Sequence, residues 1–96
     1  MRLLVVYDVN TENAKGKRRL RKVAKACEGF GQRVQKSVFE CCLQQTRLEQ
    51  LRHDLLKIID TKYDDLRIYH LPGDLGERME HYGINRDVDY QGPLVV

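Results

Sequence analysis

Hydrophobic periodicity that switches between strand-like and helix-like spacing in the order β-α-β-β-α-β predicts an α+β domain of ferredoxin-like architecture. In that arrangement two helices cover one face of an antiparallel sheet, and an apolar C-terminal end offers an additional strand. A length of 96 residues supports a single core, so residues 1–96 are read as one domain. A chain of this size buries only about 60–65% of its unfolded surface, which makes a stabilising second subunit an early expectation.

The first strand is Leu3 to Val9, nearly continuous in apolar and β-branched residues as expected of a central strand. From about Lys17 the spacing turns helical, with Leu20, Val23, Ala24 and Cys27 forming one stripe and Gly29 and Gly31 stopping it. The run Arg33 to Leu43 alternates but is too long for one strand, so it is read as two strands bent near Lys36-Ser37. Thr46 with Glu49 reads as a capping box opening a second helix, whose stripe is Leu48, Leu51, Leu55, Ile58 and Ile59, ending near Asp60. Asp64-Asp65 marks a turn before the strand Leu66 to Leu71, which Pro72-Gly73 closes. Residues 74–92 are weakly patterned and fit a partner-binding tail or an interface arm equally well, and Pro93-Leu94-Val95-Val96 is apolar enough to add a strand to a sheet edge.

The net charge of +3 conceals a strong asymmetry: residues 1–36 carry +7 and residues 37–96 carry −4. Lys15, Lys17, Arg18, Arg19, Arg21, Lys22 and Lys25 fall in one stretch without an acid, which suits a polyanion as well as a solvated helix face. No apolar run approaches the roughly 20 residues needed to cross a bilayer. Asp8 interrupts the opening segment before any signal-peptide pattern develops, so no membrane partner and a cytoplasmic location are expected. Cys27, Cys41 and Cys42 show no metal-ligand spacing and are read as small buried hydrophobes, and no chemistry is assigned to His53, His70 or His81. The phosphate-cradle motif of nucleotide-binding loops is absent, and a Cys-His hydrolase lacks a cysteine in a polar setting. The third strand has no aromatic base-stacking pattern, so backbone contact through Arg and Lys is the expected mode of any nucleic-acid binding.

Asp8 is the candidate for chemistry, because a carboxylate ending an apolar strand needs a partner. That partner is either local, in an Asx-turn or a helix N-cap arrangement of the 8–12 loop, or a divalent cation for which Asp8 is ligand or general base. One carboxylate makes a weak magnesium site, and a two-fold axis near Asp8 would supply the second. Paired carboxylates repel unless a cation lies between them, and that cation would polarise a phosphodiester and activate water.

Leu-Val-Val-Tyr-Asp-Val at 4–9, the basic run at 17–25 and Gly-Gln-Arg-Val-Gln-Lys-Ser-Val-Phe-Glu-Cys at 31–41 together resemble the CRISPR-associated protein two family over essentially the whole chain, in particular its type I-C branch. The resemblance implies a homodimer in which residues 74–96 engage the partner subunit, and a role in acquiring new CRISPR spacers with a CRISPR-associated integrase. It also implies an endonuclease dependent on Mg2+, with Mn2+ as a substitute, acting on double-stranded DNA or single-stranded RNA. By motif match Asp8 is the catalytic, metal-binding aspartate, Arg18, Arg19, Arg21 and Arg33 bind nucleic acid, and Tyr7 and Phe39 support the site. The alternatives are a non-catalytic dimer that holds duplex DNA between integrase subunits, and a small metabolite-binding regulatory domain.

Overall fold

The computed structural model describes residues 1–71 and 79–84. Within them the chain runs β1 (Arg2–Asp8), α1 (Ala14–Glu28), β2 (Gly31–Gln35), β3 (Val38–Cys42), α2 (Gln45–Ile58), β4 (Asp65–Leu71) and β5 (Met79–Gly83). The five strands form one antiparallel sheet in the order β2-β3-β1-β4-β5, which is the expected βαββαβ arrangement with an extra strand beside β4. No helix among the described residues is long and apolar enough to cross a membrane.

The period of two in β1 sorts its side chains cleanly. Leu3, Val5 and Tyr7 are buried beneath the helices, whereas Leu4 and Val6 are half-buried and Asp8 is exposed on the opposite face. Phe39 and Cys41 of β3, and Leu66 and Ile68 of β4, complete the sheet side of the core. Val23 and Cys27 of α1 and Leu48, Leu51 and Leu55 of α2 supply the helix side, as the helical stripes predict. Burial pushes the Cys27 thiol up to about 12, which keeps it protonated and consistent with a packing role; Cys41 is buried as well, but Cys42 is exposed rather than buried, because it ends β3 on the face opposite Cys41.

Element boundaries depart from the sequence expectation at several places. α1 begins at Ala14 rather than near Lys17, because Asn13 caps it by accepting from the Gly16 N–H at 2.8 Å. Thr46 is already helical and forms no capping box: Gln44 holds the N-cap position without a side-chain bond, since Leu43 N–H still pairs with Met1 C=O and the chain turns directly into the helix. Asp64-Asp65 is not an exposed turn, since Asp64 is fully buried and Asp65 begins β4. Residues 79–83, weakly patterned in sequence, form β5, while Pro72-Gly73 and the C-terminal Pro93–Val96 segment lie outside the described residues.

A polar cluster on the helix side attaches β5. Glu80 accepts two hydrogen bonds from Arg52 of α2, at 2.7 and 2.9 Å, and one from the Tyr82 hydroxyl at 3.0 Å, while its carboxylate lies 2.6 Å from His70 Nε2 on β4. Against the opposing effect of burial, the Arg52 fork, aided by His70 and Tyr82, holds the Glu80 carboxyl down to about 2. A folded-state value below the unfolded one stabilises the fold above the ordinary carboxyl range, and this contribution is lost as pH falls toward 2. Glu80→Gln should therefore flatten the acid side of the stability curve below about pH 4.5, removing on the order of 2 kcal/mol of its pH dependence, as read by urea unfolding at stepped pH.

Candidate active site and nucleic-acid surface

Asp8 stands at the carboxyl end of β1, and its backbone is in register with Asp65 of β4. Cross-strand partners share a face, so the two carboxylates emerge side by side on the sheet surface that the helices do not cover. Their surroundings differ. Asp65 is nearly buried, 3.1 Å from His81 Nε2 and 3.4 Å from the Arg67 guanidinium, whereas Asp8 is exposed. In the loop that follows, Asn10 Oδ1 accepts from Glu12 N–H at 2.9 Å in an Asx-turn, and Asn13 caps α1. Among the described residues no group of three or more His, Cys, Asp or Glu is placed to hold a metal ion. The carboxylate oxygens of Asp8 are hard donors of the type that Mg2+ and Mn2+ take, and one carboxylate is fewer protein ligands than such a site commonly uses.

Tyr7 and Phe39 lie on the other side of the sheet from Asp8. Their rings stack in the core at a centroid distance of 6.3 Å, and the Tyr7 hydroxyl donates to Lys36 C=O at 3.4 Å. They support the strand that carries Asp8 and do not face the carboxylate, because neighbouring residues of a strand point to opposite faces. Arg33, on the exposed edge strand β2, places its guanidinium 5.1 Å from the Phe39 ring centroid.

Arg18 and Arg21, with Lys22 and Lys25, line a groove on the outer surface of the helix layer, floored by Ala26 and by Ile58 of α2. Arg19 is separated from this set, because its Nε and Nη2 donate to Asp64 at 2.8 and 3.2 Å. The four arginines singled out in the sequence therefore divide into Arg18 and Arg21 on the groove, Arg33 on the edge strand and Arg19 in an internal ion pair. The basic helix starts at the rim where β1 ends, yet its cationic groove and Asp8 occupy opposite faces of the molecule.

Sequence reasoning missed Asp64, Asp65 and His81 at this rim. The Asp64-Asp65 pair is visible in the sequence, but its partners Arg19 and His81 are set by tertiary contacts.

The open sheet face has its own apolar character. Leu4, Val6, Val38, Tyr69 and Leu71 line a shallow groove bounded by Gln35 to Ser37, next to the edge where Asp8 emerges. Fold and site together define a small ferredoxin-like domain with a cationic helix layer on one side and a carboxylate beside an apolar sheet face on the other. The family model described as CRISPR associated protein Cas2 matches residues 1–79, and the chain belongs to that family. The chain is 52% identical to CRISPR-associated endoribonuclease Cas2 1 of Moorella thermoacetica over 96 residues, covering the whole of both. It is 46% identical to CRISPR-associated endonuclease Cas2 of Halalkalibacterium halodurans over 95 residues, 99% of each chain. Among solved structures, Streptococcus pyogenes Cas2 superposes with a TM-score of 0.70 at 51% identity, covering 75% of this chain and 87% of that one.

Proposed function

We propose that this chain acts in the acquisition of new CRISPR spacers, as a divalent-metal-dependent endonuclease that works as a homodimer alongside an integrase. The observation that carries the catalytic part is Asp8, an exposed carboxylate at the end of β1 that stands beside the Asp65 carboxylate across the sheet. Relatives bearing the names endoribonuclease and endonuclease support hydrolysis of a phosphodiester. The half-exposed apolar face beside Asp8 fits a second copy of the chain, and face-to-face packing there brings two Asp8 side chains together. Asp8 from each protomer would hold Mg2+ or Mn2+, which when bound polarises the scissile phosphate and lowers the pKa of water. The protein itself contributes the placement of that carboxylate and the cationic surfaces that hold the phosphate backbone, through Arg18, Arg21 and Arg33, with little dependence on sequence.

Double-stranded DNA is the favoured substrate, with single-stranded RNA as the second. Incubating the purified chain with each, with Mg2+, with Mn2+ and with excess chelator, should give cleavage that the chelator abolishes. Cleavage that persists in excess chelator would remove the metal-dependent mechanism.

A non-catalytic reading is favoured by one observation: the cationic groove lies on the helix layer, on the face opposite Asp8. A duplex held there is bridged between integrase subunits rather than presented to the carboxylate. On that reading Arg18→Glu with Arg21→Glu abolishes spacer integration while Asp8→Ala leaves it intact, and the reverse outcome removes it.

A further inference from the structure

The most heavily bonded carboxylate at the site is the fully buried Asp64 rather than Asp8. Asp64 Oδ1 accepts from the Asn10 N–H at 3.0 Å, two residues beyond Asp8, and Oδ2 accepts from the Asp60 N–H at 2.8 Å in the connection after α2. Arg19 of α1 closes the arrangement with both donors of its fork. Four donors from three segments thus converge on one carboxylate. The Asp64 backbone continues the same connections, with its N–H bonded to Asp60 C=O and its C=O accepting from the Ile84 N–H just past β5.

Packing removes the slack that hydrogen bonds alone would leave. A Cβ at Gly16 would lie 1.9 Å from the Asn10 carbonyl oxygen, so α1 and the loop after Asp8 touch backbone to backbone. At Gly83, where φ is +94°, a Cβ would lie 1.9 Å from the Asp64 carbonyl oxygen. The residue after Asp64 is the cross-strand partner of Asp8 itself. Asp64 therefore grips the chain on both sides of the candidate carboxylate, through Asn10 along the strand and through Asp65 across the sheet.

A buried ion pair is a weak source of net stability, because desolvation offsets the attraction, and apolar replacements of similar volume are often no worse. What a multiply bonded buried carboxylate supplies that an apolar residue cannot is a fixed direction for each donor. We propose that Asp64, with Arg19, is the positioning pair of this site: it fixes the path of the chain leaving β1 and so the placement of Asp8. The catalytic consequence rests on the nuclease reading above. The structural consequence does not.

The test uses the full-length, isotope-labelled chain, with Asp64→Asn, which keeps the shape and removes the charge, and Arg19→Lys, which keeps the charge and removes the fork. In folded Asp64→Asn, amide exchange at Asn10 should accelerate at least about tenfold while the β1 core amides stay protected, and the Asp8 amide resonance should shift. In the nuclease assay kcat should fall about 10- to 100-fold with KM within about twofold, the signature of a displaced group rather than of lost binding. If circular dichroism shows that Asp64→Asn does not fold, Arg19→Lys is judged by the same readouts. Unchanged Asn10 exchange, or a loosened loop with kcat retained, overturns the proposal. A wild-type chain that cleaves neither DNA nor RNA overturns the nuclease reading instead. In that case Asp64 is judged on Asn10 exchange and the Asp8 resonance alone, where no change overturns positioning.

Discussion

Asp8→Ala is expected to lower metal-dependent cleavage of DNA or RNA by at least about 100-fold while leaving the fold intact, as removal of a group that stabilises developing charge does elsewhere. The two halves of that expectation have separate causes. The Asp8 side chain is exposed and lies outside the core, so its removal opens no cavity and strands no buried donor of the Asp64 cluster. The proposed chemistry, in contrast, draws on the Asp8 carboxylate of each protomer, so Asp8→Ala removes the proposed metal ligand from both. The measurement is initial cleavage rate against metal concentration, beside circular dichroism and sedimentation of the variant. Full activity in a folded, dimeric variant would remove Asp8 from the mechanism.

Phe39→Ala should produce the largest loss of stability in the chain. Phe39 is fully buried in β3, stacks on Tyr7 and carries the Arg33 guanidinium over its ring. Truncating a buried phenylalanine typically costs about 3–5 kcal/mol, a large part of the 5–15 kcal/mol that holds a domain together. For a domain of this size the melting temperature should drop by at least about 12 °C in a thermal scan. The same substitution also releases Arg33 from the ring, so any contribution of Arg33 to phosphate binding should weaken with it. A drop of only a few degrees would mean that the β3 core repacks around the cavity.

The architecture was legible because its signals are local. Leu3, Val5 and Tyr7 alternate and are buried in that alternation, and Leu48, Leu51 and Leu55 repeat at helical spacing and are buried on one side of α2. The bend at Lys36-Ser37 separates two strands as the excess length of that segment required. β5 was not legible: Met79 to Gly83 is half-exposed with a mixed polar pattern, and its attachment depends on Glu80 meeting Arg52 and His70 from other elements. Thr46 and Glu49 matched a capping pattern that the geometry of the preceding strand overrode.

At the site the division is sharper. The sequence by itself singled out Asp8 and the acid-free basic stretch, because a carboxylate closing an apolar strand and a run of like charges are conspicuous one-dimensional features. Only the tertiary structure decided which charges remain available. Arg19 and Arg18 are adjacent and chemically identical, yet Arg19 turns inward to Asp64, 45 residues away, while Arg18 lines the outer groove. It likewise decided that Asp8 and the groove occupy opposite faces, and that Asp64, in sequence an ordinary turn residue, grips the loop beyond Asp8. The physical reason is the range of the interactions: periodicity and capping act within a turn or a strand, whereas ion pairs and faces are fixed only when distant segments pack together.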